Sequence, residues 1–314
     1  MHQRQASPHT IAAYRDTFKL LLDFAQQSCG RHPAQLDIAD LNAGMIAEFL
    51  QSLQIVRGNS ATTRNARLAA IHSFFGYAAL HAPEHAALIQ RVLAIPPKRF
   101  DRAVVSFLTG HETDALIAAP DRTTWLGRRD HVLLLVAVHT GLRVSELTSL
   151  TIHDVHVGSG PHIRCTGKGR KDRCTPLTRA AVHTLRAWLA ERAGQGSDPL
   201  FPTHQGTPLS RDAVAHLVTK HTATAALTCP SIAAKTVTPH TLRHSTAMAL
   251  LHAGVDISVI ALWLGHESTD ATQIYLHADM TIKEHALART APSSGGTVLR
   301  YQAPDTLLAF LDAL

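Results

Sequence analysis

A chain of 314 residues that is 45 % apolar and 17 % charged can bury two cores, which excludes wholesale disorder and a small disulfide-stapled module. The formal charge is +6 before any of the 22 histidines protonates, a balance that favours a polyanionic partner. The apolar run Val132 to Val138 is too short to span a bilayer, no apolar stretch follows the charged N-terminus, and Cys29, Cys165, Cys174 and Cys229 fit no zinc spacing. The expectation is a soluble, cytosolic, basic protein with no bound metal and no cofactor.

The first third reads as helices. Ser7-Pro8-His9-Thr10 offers a capped start, after which Ile11, Tyr14, Phe18, Leu21 and Leu22 recur at helical spacing. A second amphipathic pattern runs from Asp37 to Leu53, with Leu41, Ile46, Phe49, Leu50 and Leu53 as its stripe. A third runs from Ser60 to Leu80, where Leu68, Ile71, Phe75 and Ala78 line one face while Arg64 and Arg67 project elsewhere, and Pro83 ends it. Ile95-Pro96-Pro97-Lys98-Arg99 cannot continue a helix, because consecutive prolines remove donors and clash with the preceding turn. A domain boundary is expected there.

Thr109-Gly110-His111-Glu112 is a capping-box pattern for a short helix reaching Ala118, and Arg128 to Thr140 reads as a buried helix stopped by Gly141. Two strands, His162 to Thr166 and Asp172 to Pro176, are joined by the hairpin turn Gly167-Lys168-Gly169-Arg170-Lys171. Cys165 and Cys174 are expected opposite each other on these strands, as packing residues. From Leu177 helices dominate again, with loops near Pro199, Pro208 and Pro230. A Ser/Gly linker, Pro292 to Gly296, leads to a last apolar-striped segment, Asp305 to Leu314, in which Leu307, Leu311 and Leu314 must dock somewhere out of water.

Chemistry collects at five places. In Thr140-Gly141-Leu142-Arg143-Val144-Ser145-Glu146-Leu147, Arg143 and Glu146 share a face of a helical turn, which fits either a surface ion pair or a carboxylate that orients a guanidinium. The hairpin carries five basic residues (Arg164, Lys168, Arg170, Lys171, Arg173) against Asp172, so its tip is a solvated loop or a phosphate contact. Thr238-Pro239-His240-Thr241-Leu242-Arg243-His244 opens a helix with Thr238 as N-cap, His240 and Arg243 on one face, and Leu242, Thr246 and Ala249 on a different, core-facing stripe. Leu262-Trp263-Leu264-Gly265-His266 closes another helix at Gly265. Tyr275 follows nine residues after His266.

Taken in order, Arg, hairpin Lys, His-x-x-Arg, Gly-His and Tyr resemble the tyrosine recombinase (phage integrase) family, its Xer-like bacterial members especially, from about Ser7 through Ala288. The resemblance implies a mainly α fold: an all-α, SAM-like core-binding domain at 1–95 and a linker at 96–104. A mostly α catalytic domain with a small antiparallel sheet would fill 105–290, and a linker with a C-terminal helix 291–314. It implies that Arg143, Lys168, His240, Arg243, His266 and Tyr275 are catalytic, with Glu146 in support. Tyr275 would attack the scissile phosphate, the two arginines would hold its oxygens, and Lys168 would protonate the leaving oxygen. His240 would take the tyrosine proton and His266 would donate to a phosphate oxygen.

Arg64, Arg67, Arg170, Lys171 and Arg173 are the expected DNA contacts, with the two domains and the proline linker closing as a clamp around the duplex. The implied partner is double-stranded DNA, bound by a homotetramer on paired sites, with or without a related recombinase, in the cytoplasm at the nucleoid. The implied work is integration, excision, resolution or transposition of DNA, mobile elements included. The C-terminal helix would pass to the adjacent protomer or fold back on its own domain. Family members carry another helix before the Ser-Pro-His-Thr start. Only six residues precede Ser7, so that helix is expected to be absent, truncated or lost to a wrong start codon. Two competing readings are a type IB topoisomerase-like strand cutter and a non-catalytic DNA-binding protein derived from recombinases. The second would predict decay among the six catalytic positions, and none has decayed.

Overall fold

The computed structural model describes residues 8–99, 105–167 and 172–266, together with Thr272 and Tyr275. The chain divides into two compact units, Met1–Ala103 and Val104–Leu314. The hairpin tip with Lys168, Arg170 and Lys171, and the linker and C-terminal helix expected at 291–314, lie outside the described residues. No described helix is long and apolar enough to cross a membrane.

The first unit is helical in its described part. Helix α1 (Pro8–Cys29) packs against α2 (Ala43–Ile55) and α3 (Ala61–Ala78), burying Leu21, Ile46, Phe49, Leu50, Leu68, Ile71 and Phe75 in one core. Ser60 caps α3 by accepting from the Thr63 amide, as its position before the apolar stripe predicts. The single helix expected from Asp37 is two elements. Asp37 caps a 3-10 turn at Ile38–Asp40, and Asn42 then opens α2 by accepting from the Met45 amide. Two strong caps five residues apart compete for the chain, and each ends what precedes it. Pro83 opens a 3-10 turn (Pro83–His85) that leads into α4 (Ala86–Leu93), where Ile89 and Val92 are fully buried. That helix is only eight residues long, too short for periodicity to announce it.

In the second unit, α5 (Gly110–Ala118) starts at the expected capping box, and α6 (Trp125–Thr140) is the buried central helix. Helix α7 (Val144–Ser149) follows one turn later, then a three-stranded antiparallel sheet ordered β1 (Val155–His156), β2 (His162–Thr166) and β3 (Asp172–Pro176). The register pairs Arg164 with Cys174 and Cys165 with Arg173. The two cysteines are therefore one residue out of step and face opposite sides, Cys165 buried and Cys174 exposed, which corrects the expectation that they sit opposite each other. Helices α8 (Arg179–Arg192), α9 (Arg211–Ala225), α10 (Pro239–His252) and α11 (Ile257–Leu264) complete the described part.

A buried charge network joins α6 to α9. Asp130 accepts from Arg129 at 2.7 Å and lies 2.9 Å from His221 Nε2, while Arg129 also donates to the Pro202 carbonyl. Breaking one partner of such a buried set costs about 3–5 kcal/mol. Beneath α5, Glu112 accepts from the Thr109 amide, Ser231 and Lys235, whose Nζ lies 2.6 Å away. Burial works to raise the Glu112 carboxyl, but the Lys235 and Thr109 hydrogen bonds outweigh it and hold the group at about 2 instead of 4.5. A carboxyl depressed in the fold contributes stability above its unfolded value and loses it as pH falls towards 2. Glu112→Gln is therefore expected to destabilise by about 1.5–3 kcal/mol at pH 7. In urea unfolding the deficit should shrink by pH 3, and an equal deficit at both pH values would count against this account.

Candidate active site

The site is built on two left-handed glycine turns. Helix α6 ends at Gly141 (φ 63°) and α11 ends at Gly265 (φ 65°), and both conformations favour a residue without a Cβ. Space enforces the same choice. A Cβ on Gly141 would fall 2.6 Å from Leu264 Cδ2, and one on Gly265 would fall 2.5 Å from Arg173 Nη1. The two turns face each other closely, and arginines stitch them together.

Arg243, on the second turn of α10, is 2 % exposed. Its Nη1 donates to the Gly141 carbonyl at 2.6 Å and its Nη2 to the Leu264 carbonyl at 2.7 Å. Arg143 reaches across in the same sense: its Nη2 donates to the Gly265 carbonyl at 3.1 Å, while Nη1 and the backbone amide both donate to Glu146. Its side chain keeps 34 % exposure, so part of this guanidinium stays open. Glu146 is thus the carboxylate that orients a guanidinium, and the surface ion pair is set aside by its burial. Burial alone would raise its carboxyl, but hydrogen bonds from Arg173 and Arg143 win and lower it.

Arg173 has a partner the sequence reading did not name. Expected as a DNA contact, it turns inward from β3 and forms a two-point ion pair with Glu146, at 2.7 and 3.1 Å, with its side chain only 11 % exposed. A carboxylate already facing Arg143 has a second oxygen edge to offer, and the antiparallel register brings Arg173 to it. In the first unit, Arg67 donates to Thr17 and the Ala13 carbonyl, and Arg64 to Asn65 and the Pro96 carbonyl, so both guanidiniums are partly engaged within their own unit.

His266 sits just past Gly265, with its Nδ1 2.7 Å from Thr272 Oγ1. Tyr275 packs with Ala247, Met248, Ile260 and Leu264, and its hydroxyl is 2.9 Å from His244 Nδ1. His240, expected to take the tyrosine proton, is exposed and meets His244 edge to face at 4.2 Å. His244 thus touches both His240 and the phenol, and the sequence reading did not single it out. Its signal was present: four residues after His240 on a helix places the two imidazoles on neighbouring turns of one face. The core-facing stripe holds for Leu242 and Thr246, which are buried, but Ala249 is exposed.

Burial first, and then charge, sets the protonation states. Burial first, then His240 and the nearby guanidinium of Arg243, push His244 down to about 4. Burial and then Arg243, Arg143 and Arg173 do the same to His266, also to about 4. His240 moves the same way, again through burial and the arginines. The Tyr275 phenol is raised by burial, with Arg243 and Arg143 pulling back. Arg243 itself is lowered by burial and by Arg143 to about 10, and remains charged at neutral pH. The site at pH 7 therefore presents neutral imidazoles, an un-ionised phenol and cationic guanidiniums, an arrangement suited to an anionic phosphate.

Residues 106–281 match the phage integrase family, and residues 1–81 match the phage integrase N-terminal SAM-like domain. The putative integrase/recombinase y4rC of Sinorhizobium fredii is 54 % identical over 314 residues, covering 100 % of this chain and 94 % of the relative. Tyrosine recombinase XerC of Pelobacter propionicus is 33 % identical over 295 residues, covering 92 % of this chain and 93 % of the relative. Among solved structures, the XerH site-specific recombinase bound to difH superposes with TM-score 0.62 at 23 % identity, covering 80 % of this chain and 73 % of that one. The Tn1549 transposon integrase bound to circular intermediate DNA gives 0.68 at 16 %, covering 92 % and 96 %. With matches that run through both units, the chain belongs to the phage integrase family and is a site-specific recombinase of the Xer-like tyrosine type.

Proposed function

We propose that the chain cuts a strand of duplex DNA with Tyr275, holds the break as a 3′-phosphotyrosyl link beside a free 5′-hydroxyl, and passes that end to a partner strand. The observation that carries this reading is the pair of arginines on the two glycine turns, close enough to the Tyr275 phenol to bear on its ionisation. A guanidinium has five N–H donors, so Arg143 and Arg243 can keep their carbonyl contacts and still offer donors to the non-bridging phosphate oxygens. His266 adds a donor to a phosphate oxygen. Lys168 protonates the 5′-oxygen, which is a poor leaving group as an alkoxide. One ester replaces another, so no energy source is consumed.

Arg170 and Lys171 on the hairpin, and the unused N–H groups of Arg64 and Arg67, are the proposed phosphate contacts, with double-stranded DNA as the partner. The working unit is a homotetramer on paired sites in the cytoplasm, at the nucleoid. Higher identity with an integrase/recombinase than with XerC supports movement of mobile DNA over chromosome resolution.

The test starts from sheared genomic DNA of the source organism. Protein-linked fragments recovered under denaturing conditions are sequenced and remade as a nicked suicide duplex, which traps the covalent adduct. Adduct formation in excess EDTA and without ATP is the expected result. Binding without adduct on that duplex would favour a non-catalytic DNA-binding protein. Lys168→Ala is expected to slow cleavage by about 10²-fold or more on normal DNA. A 5′-bridging phosphorothiolate should restore the rate, because the thiolate leaves without a proton. Equal slowing on both substrates would remove Lys168 from the acid's role.

A further inference from the structure

The His244–Tyr275 contact is not used by the roles given above. Tyr275 Oη lies 2.9 Å from His244 Nδ1, and the rings meet edge to face with centroids 5.4 Å apart. This is a reacting atom in direct hydrogen bond with an imidazole, at the separation proton transfer requires. His240 meets His244 edge to face, with ring centroids 4.2 Å apart. Arg243, one residue earlier on α10, donates to both glycine turns, so the α10 backbone that carries His244 is anchored at the neighbouring position. The groups whose charge bears on His244 are His240 and Arg243 on its own helix and His266 beyond α11.

We propose that His244 is a further catalytic residue: its Nδ1 accepts the phenolic proton of Tyr275 as that oxygen attacks the scissile phosphorus. The assignment rests on the recombinase reading above. In the step, the Oη–H bond breaks as an N–H bond forms on Nδ1, the Oη–P bond forms, and the P–O5′ bond breaks with the 5′-oxygen taking the Lys168 proton. Rejoining runs the same transfers backwards, and His244 returns its proton to the departing phenol. The acceptor role needs the tautomer with its proton on Nε2, which leaves the Nδ1 lone pair facing the hydroxyl. Burial first, and then neighbouring charge, keeps the free imidazole neutral, so the lone pair is available. A bound phosphate offsets that charge and raises the basicity of the imidazole when the proton must move.

The experiment measures adduct formation on the nicked suicide duplex with His244→Asn and His244→Gln. The first places an amide oxygen near the Nδ1 position, keeping an acceptor that cannot take the proton, and the second provides a reading if the first is unstable. Both should bind the duplex within about twofold of the parent protein and form adduct at least about 10²-fold more slowly. Replacing the four tyrosines by fluorotyrosine supplies the readout that packing would not move. A more acidic phenol needs its base less, so the His244 variants should regain about tenfold while the parent changes little. Variants that cleave at the parental rate, or slow variants that fluorotyrosine fails to speed, overturn the assignment. If the parent protein itself forms no adduct, the cleavage reading falls first and this assignment with it.

Discussion

Tyr275→Phe is expected to abolish covalent attachment to DNA while binding survives. The substitution removes one oxygen and leaves the ring, and the ring is what packs against Ala247, Met248, Ile260 and Leu264. The lost interaction is the hydrogen bond to His244, worth about 1 kcal/mol in net stability. No base, however well placed, can replace the missing nucleophile, so adduct should fall below detection. Binding should stay within about twofold, because the proposed phosphate contacts come from the arginines and the hairpin. Denaturing electrophoresis of the suicide-duplex reaction checks the first part and a gel shift the second. Adduct persisting in the variant would move the nucleophile to another residue.

The second large effect is expected at Arg243, where Arg243→Lys should cost both stability and catalysis. The guanidinium donates at once to the Gly141 and Leu264 carbonyls, at 2.6 and 2.7 Å, from a position 2 % exposed. An ammonium is a point donor on a flexible stem and cannot span both turns. The carbonyl left without a donor costs about 1–3 kcal/mol. Losing a preorganised donor to the transition state costs about 10²–10³ in rate. The drop in rate should exceed what unfolding accounts for at the assay temperature, which urea unfolding and adduct kinetics together establish. A variant within tenfold of the parent in cleavage would mean that Arg243 holds the turns and does not touch the phosphate.

These two residues act through one arrangement. Arg143, Arg243 and Arg173 converge on the Gly141 turn, the Gly265 turn and Glu146, so each cation is held by contacts that do not depend on DNA. Such preorganisation lowers the reorganisation needed when charge develops on the phosphate. Arg173 comes from the strand that leaves the Lys168 hairpin, so the same ion pair ties that strand to the arginine pair.

Much of this was legible in the residues in order. Caps and glycine stops are local: Thr109, Gly141, Ser60, Thr238 and Gly265 act on their own neighbours within a turn, so the ends of α3, α5, α6, α10 and α11 follow from short stretches of sequence. Strands β2 and β3 were likewise readable from alternation around a glycine-rich turn. The order of Arg, Lys, His-x-x-Arg, Gly-His and Tyr identified the family because its elements are spaced by a common fold. The spacing of Arg143 and Glu146 announced their pairing, but tertiary structure alone decided the distant partners of the charged groups. Arg173 reads as one more basic residue of a hairpin until strand pairing and a shared carboxylate turn it inward. His244 reads as a helical neighbour of Arg243 until the packing of α10 against α11 brings the Tyr275 hydroxyl to its ring. Local sequence sets backbone conformation through caps, turns and periodicity. The pairing of groups more than a hundred positions apart, as between the Arg143 guanidinium and the Gly265 carbonyl, is set by packing, which no local pattern encodes.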